Sequence, residues 1–135
     1  MGYHLKNERG EELEFTVSAW RLALEIAERH GWNPAGTIAP GDWEGEEEWE
    51  GDYFTMDGQR VSPEDAARLA VALEKALADP HFAAKTREAF NDLQDEAAGN
   101  AGYKRVEYSL KEAGEFGGRV KELIEFARGT IFVIE

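Results

Sequence analysis

Between residues 32 and 59 the chain holds eight aspartates and glutamates and no lysine or arginine, so this stretch carries −8 of the formal net charge of −13. Asp42, Glu44, Glu46, Glu48, Glu50 and Asp52 occupy every second position there, with Trp43 and Trp49 set among them. Carboxylates at that density attract a basic protein or peptide, a cationic ligand or a metal ion. They disfavour nucleic acid, because phosphate recognition needs cationic side chains, and they disfavour an anionic membrane surface for the same reason. The run does not match a calcium loop, which requires a central glycine and a terminal bidentate glutamate at set positions. A solvated, self-repelling charge run accounts for it better than weak calcium binding does.

Other chemistries find little footing. The chain has no cysteine, which excludes disulfides, thiolate metal sites and cysteine nucleophiles. Its three histidines, His4, His30 and His81, sit in unrelated contexts, and none has a second histidine at helical spacing. His30 reads as a residue of a helix's last turn, favourable to the negative end of the dipole when protonated. There is no G-x-S-x-G nucleophile elbow. The stretch Gly114-Glu115-Phe116-Gly117-Gly118 lacks the spacing and the following lysine and threonine of a phosphate loop. No catalytic residue, resident metal or cofactor is expected.

The elements that must position the acidic stretch are clearer. The residues from Tyr53 to Asp79 join an extended segment, an Asp57-Gly58 turn, a helix start and a helix. Glycine accepts positive φ at such a turn. Ser62-Pro63-Glu64-Asp65 starts the helix: serine can accept from a free amide of the first turn, and proline has no N–H to leave unused. Glu64 and Asp65 suit the positive end of the dipole. Ala66, Leu69, Ala70, Leu73, Ala76 and Leu77 then form one apolar stripe, and Asp79-Pro80 ends it.

Before this unit, Tyr3 and Leu5, then Leu13, Phe15 and Val17, alternate with polar residues as a β-hairpin with one wet face. Ser18 is expected to cap a helix from Ala19 to about His30, with Trp20, Leu22, Ala23, Ile26 and Ala27 buried and Gly31 just past its end. Residues 32–52 form a connection of unusual length, broken by prolines and glycines. Of its three tryptophans, either one or two fold back onto the core edge or they form an aromatic, acidic contact surface. After Pro80, a third helix is expected over 81–97, ended by Gly99-Asn100-Ala101-Gly102. Tyr103 to Leu110 alternates like an extended segment. A fourth helix is expected over 116–128. Thr130 to Ile134, apolar on both faces, suits an interior strand beside the N-terminal hairpin.

With 135 residues, 42% hydrophobic and 11% aromatic, the chain fits one domain with one core. The expected class is α+β: about four helices on a small, mainly antiparallel sheet built from the N-terminal hairpin and the C-terminal strand. The start MGYHLKNERG lacks the basic-then-apolar pattern of a signal peptide, and no apolar run reaches bilayer length, so the expected location is the cytoplasm.

Gly31-Trp32-x-Pro34-x-Gly36-Thr37, Tyr53-Phe54-x-x-Asp57-Gly58-Gln59-x-Val61 and Asp65-Ala66-x-x-Leu69-Ala70-x-Ala72-Leu73 resemble a group of small uncharacterised bacterial proteins. So do the start Met1-Gly2-Tyr3 and the closing phenylalanine-rich helix and strand. The resemblance spans most of the chain and implies a bacterial cytosolic domain. It brings no activity, cofactor or site residue with it.

The leading functional expectation is a non-enzymatic binding module, immunity- or inhibitor-like. Trp43, Glu46, Glu47, Glu48 and Trp49 would engage a basic protein or peptide. The rival is a small ligand-binding domain or enzyme with a pocket formed by Trp32, Tyr53, Asp57 and Gln59 around the central turn.

Overall fold

The computed structural model describes residues 2–43, 45, 48–98 and 105–135. In chain order these form β1 (Gly2–Asn7), β2 (Glu12–Thr16), α1 (Val17–Arg29), β3 (Gln59–Val61), α2 (Pro63–Ala78), α3 (Phe82–Ala97), α4 (Leu110–Ala127) and β4 (Phe132–Ile134). The sheet order is β2-β1-β4-β3 and every pairing is antiparallel. This is an α+β arrangement in which the two ends of the chain supply three of the four strands. Leu5 lies opposite both Leu13 and Ile134, and Val61 opposite Phe132, so one register runs across the sheet.

Strand alternation sets the layers. Tyr3, Leu5, Phe15, Val61, Phe132 and Ile134 point into the core with the helices' apolar stripes, while His4, Lys6, Glu12 and Glu14 lie on the other face. Leu69, Leu73, Val120 and Leu123 are completely buried against them. Each such side chain is worth roughly 1.5–3 kcal/mol relative to exposure.

Local chemistry explains the boundaries and moves some of them. Helix α1 is capped by Thr16, whose hydroxyl accepts from the Ala19 amide at 3.2 Å. The expected Ser18 cap is therefore two residues late, and Val17 begins the helix instead of ending the strand. The end of α1 follows expectation, with Gly31 at φ +100°. Helix α2 starts as read, with the Ser62 hydroxyl accepting from the Asp65 amide at 3.1 Å.

Helix α4 begins at Leu110, six residues before the expected start, because Ser109 and Glu112 form a reciprocal capping box. Of the segment expected to be extended, 105–109 carries no regular structure and Tyr103 and Lys104 lie outside the described residues. Residues 99–102, expected to end α3, lie outside them too; α3 itself closes at Ala97. The glycine-bearing stretch 114–118 is interior to α4. Strand β4 lies between β1 and β3, an interior position as expected, but it is only three residues long and Val133 on its outer face is half-buried. Tyr53 and Phe54 form no strand; the extended segment of that unit is β3, after Gly58 at φ +82°.

Candidate functional site

The acidic connection between α1 and β3 is fastened at its two ends by one carboxylate. Asp65, in the first turn of α2, is completely buried. It accepts from the Tyr53 hydroxyl at 2.5 Å, the Trp32 indole N–H at 3.0 Å and the Ala35 amide at 3.3 Å. The Trp32 and Tyr53 rings meet edge to face at 5.3 Å. The Tyr53 carbonyl in turn accepts from the Trp20 indole of α1 at 2.7 Å. Burial, then the hydrogen bond to Asp65 and its charge, hold the Tyr53 hydroxyl well above its ordinary range. The place of Asp65 in the first turn suits the helix dipole, but its role here is that of a buried acceptor. The available signal was phase: Asp65 stands four residues before Leu69 and eight before Leu73, on the apolar stripe itself.

Beyond this clamp the connection folds mainly on itself. Ile38 bridges Arg60 of β3, with Ile38 N–H to Arg60 O at 2.8 Å and Arg60 N–H to Ile38 O at 2.9 Å. The Arg60 guanidinium donates to the Ala39 carbonyl at 3.1 Å. The Thr37 hydroxyl donates to Gly51 O at 2.7 Å and accepts from the Trp49 indole at 3.0 Å. Trp49 holds Trp43 edge to face, with centroids 4.9 Å apart and planes at 78°.

Each of these two rings sits on the glycine two residues further on. A Cβ at position 45 would stand 2.6 Å from the Trp43 ring, and one at 51 would collide with the Trp49 ring. The doubled Trp-Glu-Gly at 43–45 and 49–51 is the sequence signal for this pairing.

Of the residues expected to contact a partner, Trp43 is 46% exposed, Trp49 is half-buried and Glu48 is exposed. Asp42, Glu50 and Asp52 are exposed as well. Glu46 and Glu47, like Glu44, lie outside the described residues.

The four residues of the rival pocket divide into two groups. Trp32 and Tyr53 are together, and both border a cleft of about 210 Å³ that also touches Arg21, Glu25, Glu28 and Phe54. Burial, then the charge of Glu25, raises the Glu28 carboxyl there. Gln59 belongs elsewhere. It is completely buried, its amide donates to Asp52 O, Thr55 O and Thr55 Oγ1 at 2.6–2.9 Å, and its oxygen accepts from the Asp57 amide at 2.9 Å. Asp57 itself is exposed on the turn.

The histidines remain apart. His4 lies between Glu12 and Glu135 at 3.4 and 3.5 Å on the open face of the sheet. His30 ends α1, with Nδ1 2.9 Å from the Ile26 carbonyl oxygen and Nε2 3.6 Å from Asp79. His81 precedes α3. Among the described residues no three histidine, aspartate or glutamate side chains converge to hold a metal ion. None of the described helices is long and apolar enough to cross a membrane. Compared with protein-family models, curated proteins and solved structures, the chain matches none.

Proposed function

We propose that this is a bacterial, cytoplasmic, non-enzymatic binding module that engages a basic protein or peptide through the outer lobe of its acidic connection, as an immunity or inhibitor protein would. The observation that carries the reading is Trp43. A large indole stands 46% exposed, in a stretch with eight carboxylates and no lysine or arginine. Exposed tryptophan is costly unless something covers it, and tryptophan is prominent among residues that dominate binding energy. The surrounding field draws a cationic partner and repels nucleic acid.

The rival pocket has less to stand on. The Trp32 and Tyr53 polar groups are spent on Asp65, and the Gln59 amide is spent on its own loop. They do not converge on a ligand.

Calorimetric titration with a basic peptide at low and at high salt tests the proposal. Binding is expected at low salt, weakened by salt and weakened again when Glu46, Glu47 and Glu48 are changed to glutamine. Heats that are absent at low salt, or indifferent to those substitutions, would remove it.

A further inference from the structure

Opposite charge explains attraction to the outer lobe, but the construction of the tryptophan pair implies a more particular guest. Trp43 and Trp49 are not loose side chains on a charged loop. They meet at 78°, each ring lies against a glycine where an added Cβ would strike it, and Trp49 is pinned to Thr37. Fixing two rings in this way removes rotamer freedom before a partner arrives.

Elsewhere the chain covers aromatic faces with its own guanidinium groups: Arg119 lies 4.2 Å from the Phe15 ring and Arg21 lies 5.2 Å from that of Phe54. Among the described residues no cation stands over Trp43 or Trp49. The sequence from 32 to 59 contains none to place there.

We propose that the Trp43–Trp49 pair is the seat of an arginine side chain from a basic partner segment. This rests on the basic-partner reading and adds the identity of the group that is recognised. A planar guanidinium stacks on an indole face, is weakly hydrated, and presents forked donors to carboxylates. Exposed Asp42, Glu48 and Glu50 flank the two rings in sequence. A lysine ammonium is drawn by the same charge, but it is a compact, strongly hydrated point and gains less from the ring.

The test titrates an oligoarginine and an oligolysine peptide of equal length into the protein at low salt, following the indole N–H resonances. The arginine peptide is expected to bind about fivefold tighter. Trp43→Ala is expected to lower it to the affinity of the lysine peptide while leaving the latter within about twofold. Gly45→Ala displaces the ring without touching the core and is expected to lose the same preference. Equal affinities for the unaltered protein, or a preference that survives either substitution, would overturn the arginine seat and leave the basic-partner reading standing. If neither peptide binds, the basic-partner reading falls and this inference falls with it.

Discussion

Trp32 and Tyr53 stand near the two ends of the acidic connection, 3% and 7% exposed, and their rings meet edge to face at 5.3 Å. Trp43 and Trp49 stand within the same connection and meet in similar geometry at 4.9 Å, yet Trp43 is 46% exposed. Ring geometry does not separate the two pairs; the destination of their polar atoms does. The inner pair delivers its N–H and O–H to Asp65, a buried carboxylate on a core helix. Among the described residues, the outer pair sends one indole N–H, that of Trp49, to Thr37 of the connection itself. The inner pair therefore ties the connection to the core, and the outer pair leaves the Trp43 ring partly exposed.

Breaking the inner pair's shared carboxylate is expected to have the largest effect. Asp65→Ala leaves the Tyr53 hydroxyl proton and the Trp32 indole N–H unpartnered in the interior and releases the Ala35 amide, and should cost about 3 kcal/mol. The midpoint of urea unfolding reads this directly. A loss below about 1 kcal/mol would mean that the clamp is not what holds the connection down.

Tyr53→Phe keeps the ring but removes two hydrogen bonds, the one donated to Asp65 and the one accepted from the Gly36 amide at 3.0 Å, so about 2 kcal/mol is expected at neutral pH. It should also change the alkaline limb. The folded-state pKa of Tyr53 is raised above its ordinary value of 10.0, so the folded state retains the proton more strongly than the unfolded chain. Its contribution is complete below pH 10 and is lost as the pH rises from there toward the raised value. The Phe variant should lose less stability over that window. Tyr3 and Tyr108, also raised by burial, remain in it as internal controls.

Ser109→Ala removes the hydroxyl from the capping box and should cost about 1 kcal/mol. That sets a scale for a purely local contact outside both aromatic pairs. The smallest effect belongs to Trp43→Ala, within about 0.5 kcal/mol of the unaltered protein. If thermal unfolding instead shows a loss near that of Asp65→Ala, the outer pair is part of the core and the contrast between the pairs collapses.

Signals that act within a few residues were legible from the chain alone. Ser62-Pro63, Gly31 and the Leu69–Leu73 stripe each declare themselves by local geometry. The alternation at the two ends of the chain was enough to assemble the sheet. Where two local patterns competed, the reading slipped. Val106, Tyr108 and Leu110 alternate like a strand, but Ser109 and Glu112 fit a capping box, and the box won because it satisfies first-turn donors at the start of α4. Thr16 displaced Ser18 by the same logic of which hydroxyl reaches a free amide.

The candidate site was half visible. Its charge could be read from composition, but which tryptophan folds inward and which stays exposed could not, and the pairing of Trp43 with Trp49 is signalled only by the doubled Trp-Glu-Gly. The grouping of Trp32 and Tyr53 with Asp57 and Gln59 followed their nearness in sequence. Folding instead brought the first two to Asp65, while Gln59 bonds back to residues 52–57.

Amino-acid order by itself determined the class of fold, the caps and stripes of the central helix, and the concentration of negative charge in one connection. These depend on backbone geometry and side-chain type over short spans. Only the tertiary structure decided which aromatic groups would be spent inside and which would stay available. That choice turns on a carboxylate 12 residues from one partner and 33 from the other, and a buried acid finds such donors only after the chain has closed around it.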